Sequence, residues 1–477
     1  MVGEALRRVG NTERQEDQPV RFTIEGGRPL EGSVTLPGAK NSSLQAIAAA
    51  TLTDNRVILD NFPQIGDTDM NLSILRKLGA KVEKPASETV SISTNGISEH
   101  RIDRADSMRT TGSRYFIPTM VRRKGKIIAG PHGGDQLGAP ERFQFREDAL
   151  RIYESIGIGS RPTIDSHGRP AHEFFALQDQ PTELRLEERF FGPTVMALLS
   201  FAVSDREFRI INPNVEPEVK DTIAMLNDMG AEIEHVGEGF ENGEDFIHIA
   251  GKKYLHGTRT RIKSDPNAMV SYAVMALITS GDVEIKGIDH TDKTEAFVEI
   301  LMAMGVDFYF GGGILHILPS QNPLKPVDLK TDIWPGQGWA QCHTDWQQLL
   351  TPLLATLHGT SYVDENVYPE RFGNVDALGK QGARLTQLVA PNREQITRPA
   401  FKSDEVKPHT LRIEGPTKFH PVDFLNLPKD VRGATGVLVA ALSAEGRTTL
   451  VGAEQILRGL ENVDKNLRSL GAKITRS

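Results

Sequence analysis

Six times along the chain, apolar residues at helical spacing lead into a glycine that is followed by a short strand-like alternation. Two examples are "LNDMGAEIEH" from residue 226 and "LRSLGAKITR" from residue 467. Glycine in this position is typical of a left-handed helix C-cap, because it has no Cβ to oppose a positive φ. The six glycines, at intervals of 73 to 89 residues, are Gly79, Gly157, Gly230, Gly305, Gly382 and Gly471. A repeat this long exceeds one solenoid turn and predicts six small α/β units.

A second pattern is a polar helix start that follows a strand, and the clearest case is "VTLPGAKNSSLQAIAAATL", residues 34 to 52. It predicts a strand that ends in a turn at Gly38, and then an amphipathic helix. Lys40 lies near the N-terminus of this helix, where unpaired N–H groups and the helix dipole attract anions. The alternative is a solvated lysine in a surface turn.

When the units are aligned on their glycines, the corresponding helix starts carry charged residues: Lys40, Arg109, Glu188 with Arg189, Asp265, Asp345, and Asp430 with Arg432. If the units pack around pseudo-symmetry axes, these starts converge on one central cleft. Such a cleft would bind a multiply anionic ligand and offer carboxylates for proton transfer. Ordinary N-capping is the alternative; it suits Asp265 and Asp345, but it does not explain cations at helix starts.

Composition narrows the function classes. A chain of 477 residues is expected to form two or more domains. The net charge of −8 argues against a nucleic-acid partner, although a local basic pocket remains compatible with it. Cys342 is the single cysteine, which excludes an intramolecular disulfide and a cysteine-based metal cluster. The longest apolar stretches fall short of the ~20 residues that span a bilayer. We therefore expect a cytoplasmic protein without a membrane partner; its oligomeric state stays open.

Four separated segments resemble the enolpyruvyl transferases: "GRPLEGSVTLPGAKNSSLQAIAAATL", "HTDWQQLLTPLLATLHGTSYVDENVYPERF", "DVRGATGVLVAALSAEGRTTLV" and "RGLENVDKNLRSLGAKI". The similarity runs from about residue 21 to the last residue. It is stronger to the UDP-N-acetylglucosamine enolpyruvyl transferases than to the shikimate-pathway branch, which has Lys-Ser where this chain has Lys40-Asn41. The resemblance implies a two-domain inside-out α/β barrel built from six repeated α/β units. One domain would comprise 21–39 and 264–477, the other 40–263, after a mobile tail of residues 1–20.

The resemblance also implies a reaction and its residues. The family transfers the enolpyruvyl group of phosphoenolpyruvate to an acceptor hydroxyl, releases phosphate, and uses no metal or other cofactor. Asp345 matches the base for the acceptor hydroxyl. Arg371 and Arg432 match the arginines that hold the carboxylate of phosphoenolpyruvate, and Lys40 and Arg458 match the cations that hold its phosphate.

On the acceptor side the resemblance implies contacts from Asn41 and Arg109. The mobile loop of the family, here residues 131–143, carries a cysteine that acts as the acid toward the methylene carbon, and this chain has Asp135 in its place. A free aspartate has a pKa of ~3.9, so Asp135 needs a raised pKa to donate a proton near pH 7. A loop aspartate without a catalytic role is the alternative.

Further departures fall on the acceptor side. The loop arginine of the family is Pro140 here, and Arg142 is the candidate replacement. A lysine-containing tract that faces the diphosphate becomes "ERFFG", residues 188–192. Glu216 and Glu218 keep the family pattern, but an ordinary helix start explains them equally well. A Pro- and charge-rich stretch at 388–409 predicts an inserted loop.

Because the donor side is kept and the acceptor side is altered, we expect a uridine nucleotide other than UDP-N-acetylglucosamine as the acceptor. The leading hypothesis is transfer to the 3′-hydroxyl of UMP in nucleoside-antibiotic biosynthesis. The first alternative is the UDP-N-acetylglucosamine 1-carboxyvinyltransferase of peptidoglycan synthesis. An alternative of another class is a non-catalytic nucleotide-binding regulator or scaffold.

Overall fold

The six predicted helix ends are present, and each of the six glycines has a positive φ, between 74° and 106°. The computed structural model describes residues 18–135, 147–237, 244–331, 341–368, 371–389 and 408–477. Pro140 and Arg142 of the predicted loop, most of the predicted tail and residues 390–407 of the predicted insertion lie outside these segments.

The strands of the described segments are β1 (Arg21–Gly26), β2 (Glu31–Thr35), β3 (Val57–Asp60), β4 (Lys81–Ala86), β5 (Thr89–Ser93), β6 (Arg101–Ile102), β7 (Lys126–Ala129), β8 (Ile158–Ile164), β9 (Pro170–Ala176), β10 (Glu183–Arg185), β11 (Glu207–Ile211), β12 (Glu232–Val236), β13 (Phe246–Ala250), β14 (Arg259–Arg261), β15 (Asp282–Lys286), β16 (Phe308–Gly311), β17 (Ile314–Ile317), β18 (Leu329–Thr331), β19 (Gln341–Cys342), β20 (Thr360–Glu365), β21 (Arg384–Leu388), β22 (Thr410–Glu414), β23 (Leu425–Asn426), β24 (Gly446–Val451) and β25 (Lys473–Arg476). The α-helices are α1 (Lys40–Ala49), α2 (Gly66–Lys77), α3 (Arg104–Ser107), α4 (Phe116–Lys124), α5 (Glu147–Ser155), α6 (Phe191–Phe201), α7 (Pro217–Asp228), α8 (Pro266–Ile278), α9 (Asp292–Met304), α10 (Thr344–Thr356), α11 (Val375–Lys380), α12 (Val431–Ser443), α13 (Glu454–Leu457) and α14 (Val463–Ser469).

These strands form six sheets, one for each predicted unit. Five sheets have four strands, and the sheet with the order β19-β18-β20-β22-β21 has five among the described residues. The strand after each repeat glycine is always an edge strand: β4, β8, β12, β16, β21 and β25. Each edge strand pairs antiparallel with an inner neighbour, as β8 does with β9. The six repeated α/β units are therefore confirmed.

The helices α1, α4, α6, α8, α10 and α12 lie inside the sheets. In one half α8, α10 and α12 pack against one another, and in the other α4 packs against both α1 and α6. Nine of the ten residues of α1 are buried, so the expectation of an amphipathic helix at this position is wrong. A helix enclosed by sheets and other helices has no solvent face, and small residues such as Ala46 and Ala48 let its neighbours approach. This arrangement is the inside-out α/β barrel that the resemblance implied.

The buried apolar residues fall into two clusters. One contains Phe22 to Leu36 and Ala268 to Ile474, and the other extends from Ala39 to Ile262. On this basis we propose that the domains are 21–39 with 264–477 and 40–263, as the sequence predicts. No helix in the described part of the chain is long and apolar enough to cross a membrane.

The chain passes between the two clusters twice, and the two passages lie side by side. Gly38 forms an antiparallel bridge with Ser264. The N–H of Ala39 donates to the carbonyl of Lys263 at 2.7 Å. A Cβ at position 38 would lie 2.0 Å from the carbonyl oxygen of Asn61, so this close passage requires glycine.

Candidate active site

The N-termini of the inner helices carry the predicted functional residues, but their caps differ from the expectation in one place. The carboxylate of Asp265 caps α8, and that of Asp430 caps α12 by accepting from the N–H of Arg432 at 2.8 Å. At α10 the cap is His343, whose Nδ1 accepts from the N–H of Asp345 at 3.2 Å. The alternative that Asp345 is an ordinary N-cap is therefore excluded, and its carboxylate is left for other contacts.

Two arginines hold that carboxylate. Arg371 Nη1 lies 2.8 Å from Asp345 Oδ1, and Arg432 Nε lies 3.3 Å from Asp345 Oδ2. Arg371 is fixed further by Asp430 Oδ2 at 3.1 Å and by the hydroxyl of Thr344 at 3.0 Å. Burial favours the neutral form of Asp345, but the two guanidinium groups outweigh it and hold the pKa well below its usual range. Asp345 is thus held in its ionised form.

Arg432 still has donors to offer. Its Nη1 and Nη2 are buried and have no hydrogen-bond partner in the described part of the chain. A buried guanidinium with unused N–H groups is costly unless an anion completes it. This geometry suits a ligand carboxylate placed beside Asp345.

A second acid organises the other two predicted cations. Asp67, whose side chain is 1% exposed, lies 3.5 Å from Lys40 Nζ and 2.9 Å from Arg458 Nε. Asp67 is not predicted from the sequence, because an aspartate in the first turn of a helix such as α2 is common and interacts favourably with the helix dipole. Its contacts with Lys40 and Arg458 come from parts of the chain far from it in sequence.

Asp135 lies on the same cations. Its Oδ1 accepts from Arg458 Nη1 and from the N–H of Val431, both at 3.2 Å. Burial raises its pKa, but Lys40, Arg458 and Arg371 outweigh burial, so the pKa is lowered. The raised pKa that an acid at this position requires is therefore not present in the protein without a ligand. We call the whole set the donor cluster: Lys40, Asp67, Asp135, Asp345, Arg371, Asp430, Arg432 and Arg458.

Two cavities border the donor cluster. One of about 130 Å³, here called the acceptor cavity, is lined among others by Asn41, Arg114, Tyr115, Phe191, Asp345 and Tyr368. The other, of about 910 Å³, is lined among others by Arg109, Lys429 and Arg458.

Arg109 and Asn41, which the resemblance placed together, therefore line different cavities. The reason is local: Thr110 caps a 3₁₀ turn, Thr111–Tyr115, and this turn brings Arg114 to the acceptor cavity instead. Arg114 is not among the residues predicted from the sequence.

A buried ionic group, the interface cluster, joins the two hydrophobic clusters next to Asp345. Lys293 Nζ, with its side chain 0% exposed, lies 2.9 Å from Glu216 Oε2 and 2.8 Å from Glu218 Oε2. Glu216 Oε2 also lies 3.4 Å from Nε2 of His343. Burial opposes the charge on Lys293, but the two carboxylates outweigh it and raise its pKa. Glu216 begins α7 without capping it, so its side chain serves this contact rather than the helix start.

One group of residues in the described segments has the spacing of metal ligands: Asp103, Asp165 and His167. Asp165 already accepts the backbone N–H groups of Arg104, His167 and Arg169, as in a tight turn. We assign no metal to it.

The chain is similar to known enolpyruvyl transferases over most of its length. A family model described as EPSP synthase (3-phosphoshikimate 1-carboxyvinyltransferase) matches residues 24–114 and 191–467. UDP-N-acetylglucosamine 1-carboxyvinyltransferase 2 of Streptococcus thermophilus is 30% identical over 456 residues, which cover 95% of this chain and 98% of that protein. UDP-N-acetylglucosamine 1-carboxyvinyltransferase 3 of Caldanaerobacter subterraneus is 30% identical over 461 residues, 96% of this chain and 99% of that one.

Solved structures give the same result. The enolpyruvyl transferase NikO from Streptomyces tendae superposes with a TM-score of 0.80 at 25% identity, over 96% of this chain and 99% of that one. EPSP synthase from Acinetobacter baumannii, at 18% identity and a TM-score of 0.65, covers 96% of this chain and 100% of its own and shares the fold. The chain belongs to the EPSP synthase family and is an enolpyruvyl transferase.

Proposed function

We propose that this enzyme transfers the enolpyruvyl group of phosphoenolpyruvate to the 3′-hydroxyl of UMP and releases phosphate, as a step of nucleoside-antibiotic biosynthesis. The observation that carries the proposal is the small aromatic acceptor cavity, about 130 Å³, beside an intact donor cluster. Tyr115, Phe191 and Tyr368 line it, and aromatic side chains combined with a few convergent polar groups are typical of a site for a small organic ligand.

In this proposal the donor cluster holds phosphoenolpyruvate by its two charged ends. Lys40 and Arg458 bind the phosphate, and Asp67 keeps these two cations together. Arg371 and Arg432 bind the carboxylate, for which the unused Nη1 and Nη2 of Arg432 supply a bidentate pair. By the domain boundaries proposed above, Lys40 lies on one side of the cleft, and Arg371, Arg432 and Arg458 lie on the other.

Asp345 removes the proton from the 3′-hydroxyl, and the oxygen forms a bond to C2 of phosphoenolpyruvate. The double bond takes up a proton at the methylene carbon, for which Asp135 is the proposed acid. Loss of that proton and cleavage of the C–O bond to phosphate then restore the double bond in the product. Because the ligand phosphate neutralises Lys40 and Arg458, its binding raises the lowered pKa of Asp135 toward the protonated form.

A second acceptor is favoured by a specific observation. Both curated relatives described above are named UDP-N-acetylglucosamine 1-carboxyvinyltransferases and match along almost their whole length. Transfer to UDP-N-acetylglucosamine is therefore the alternative. The loss of the loop arginine at Pro140 and of the basic residue at Glu188 argues against it, because both changes remove positive charge from the diphosphate side.

The test is phosphate release from phosphoenolpyruvate with UMP and with UDP-N-acetylglucosamine in parallel, with Asp345→Ala as the blank. Turnover with UMP is the expected result. Turnover with UDP-N-acetylglucosamine alone would replace the proposal by its alternative, and no phosphate release with either acceptor would contradict both.

A further inference from the structure

Arg114 differs from every cation of the donor cluster. Lys40, Arg371, Arg432 and Arg458 each lie within 3.5 Å of a carboxylate oxygen. Arg114 has no such partner in the part of the chain that the structure describes.

The guanidinium of Arg114 is nevertheless held firmly. Its Nη2 donates to the hydroxyl of Tyr115 at 2.9 Å, and its Cζ lies 4.9 Å from the centre of the Tyr115 ring. Its Nε is buried and has no hydrogen-bond partner among the described residues. Burial lowers its pKa, but the surrounding tyrosines outweigh this effect and raise it, so the group stays charged. Burying a charged donor without a counter-ion costs free energy. The binding of an anionic ligand offsets that cost.

The neighbourhood of this guanidinium also favours an anion. A Cβ added at Gly192 would lie 3.2 Å from Cζ and Nη1 of Arg114, so the guanidinium packs directly against the start of α6. Phe190 precedes that helix and supplies no side-chain cap to it. The same segment carries Glu188 where the family has a lysine, and Arg114 therefore returns a positive charge to this wall of the site.

We propose that Arg114 binds the 5′-phosphate of the acceptor nucleotide and so selects a nucleotide over a nucleoside. This inference rests on the proposed function. The cations of phosphoenolpyruvate are committed to the donor cluster, while Arg114 lines the acceptor cavity together with Asn41 and the base Asp345. A planar guanidinium with free N–H groups matches the oxygens of a phosphate monoester.

The experiment compares steady-state kinetics of wild type and Arg114→Gln with phosphoenolpyruvate and either UMP or uridine. Loss of a charge-assisted pair should raise KM for UMP about 50-fold. KM for phosphoenolpyruvate should change less than about threefold, and the preference for UMP over uridine should collapse. Arg114→Lys keeps the charge but loses the fork, so it should recover only part of the affinity for UMP.

Arg122→Gln is the matched control, because Arg122 is also a largely enclosed arginine over an aromatic ring, 5.0 Å from the centre of Phe201. It should lower stability and leave the preference for UMP over uridine unchanged. If Arg114→Gln does not fold, Gly192→Ala gives the same information, since its Cβ displaces the guanidinium by a few tenths of an ångström. We expect a rise of about fivefold in KM for UMP from that variant.

The outcomes separate the two proposals. If the wild type turns over UMP and Arg114→Gln leaves KM for UMP and the preference over uridine unchanged, the role of Arg114 is wrong and the proposed function stands. An equal loss toward UMP and uridine would also overturn the role, since it would indicate a general packing defect. If the wild type does not turn over UMP at all, the proposed function fails, and the assignment of Arg114 fails with it.

Discussion

The donor cluster and the acceptor cavity differ in whether their cations are paired with carboxylates. In the donor cluster every cation is paired with a carboxylate before any ligand arrives, and Asp345 and Asp67 each bridge two of them. The lining of the acceptor cavity includes three aromatic residues, Tyr115, Phe191 and Tyr368, and a cation, Arg114, that has no carboxylate partner among the described residues. The cations of the donor cluster are neutralised by carboxylates of the same cluster. In our proposal, the charge of Arg114 is neutralised by the ligand.

This difference explains how the two sides can change independently. Removing one member of the donor cluster leaves a buried charge unpaired, so substitutions there affect both folding and binding. Glu188, where the resemblance implies a basic residue, takes part in none of the ion pairs of the donor cluster. Residues on the acceptor side can therefore change while the residues of the donor cluster are kept.

The largest effect is expected where the two sides meet, at Asp345. Asp345→Asn should lower kcat by about 1,000-fold or more, because it removes the base and its charge from beside Arg371 and Arg432. Phosphate release under saturating substrates measures this. Asp464→Asn, which removes a buried carboxylate that pairs with Arg468 at 2.9 Å, is the control and should keep kcat within about twofold. A kcat within tenfold of wild type for Asp345→Asn would refute a role as the base.

The next effect concerns stability rather than turnover. Lys293→Met leaves the carboxylates of Glu216 and Glu218 buried without their cation and should cost about 3 kcal/mol of the free energy of unfolding. Lys220→Met, which breaks an exposed pair with Asp292, should cost less than about 1 kcal/mol. Denaturant unfolding of both variants gives the comparison. Equal costs would show that the interface cluster does not hold the two hydrophobic clusters together.

A smaller effect is expected for Asp135→Asn, which should change the affinity for phosphoenolpyruvate and kcat in opposite directions. Asp135→Asn frees Arg458 and Lys40 from a competing carboxylate, so phosphoenolpyruvate should bind about tenfold more tightly. At the same time kcat should fall about 100-fold through loss of the acid. Calorimetric titration and turnover assays measure the two quantities separately. Weaker binding in Asp135→Asn would mean that the aspartate assists the ligand rather than competing with it.

The same variant yields a pH test. Lys40, Arg458 and Arg371 lower the pKa of Asp135, so if phosphoenolpyruvate neutralises these cations as proposed, binding takes up a proton and becomes weaker as pH rises. The wild type should therefore lose affinity for phosphoenolpyruvate with rising pH more steeply than Asp135→Asn does. Titration of phosphate groups on the ligand affects both proteins alike and cancels in the comparison. Identical slopes would exclude proton uptake by Asp135.

The smallest expected effect is none. The epoxide antibiotic fosfomycin alkylates the loop cysteine of this family, and here that position is Asp135. Cys342, the single thiol, is buried and its pKa is raised well above the usual value by burial, so little thiolate forms. Mass spectrometry after fosfomycin treatment should show the unmodified mass. An adduct on Cys342 would contradict the burial of this thiol.

Local sequence was enough for the repeated architecture. A helix end at glycine needs only neighbouring residues, and all six positions have a positive φ. The helix starts at Lys40 and Asp430 were likewise visible in the chain itself. The enclosed character of α1 was not, because the surroundings of a helix depend on distant units rather than on its own residues.

The site was predictable to the extent that it follows helix starts. Lys40, Asp345 and Arg432 lie at such starts, and the structure brings them to one cluster. The residues that were missed act through contacts over long sequence distances: Asp67 meets Arg458 from 391 positions away. Arg114 was missed because the 3₁₀ turn before α4 decides which of two nearby arginines reaches the acceptor cavity.

The paired crossings at Gly38 and Ser264 have a mechanical consequence. Two adjacent tethers, tied by the hydrogen bond from Ala39 to Lys263 and by one from Asp265 to Pro37 at 2.9 Å, resist sliding and twisting. The easiest remaining motion is a rotation about the line that joins the two crossings. A small rotation about this hinge produces its largest displacement at the residues farthest from the hinge. The cleft can therefore open and close with little change in either hydrophobic cluster.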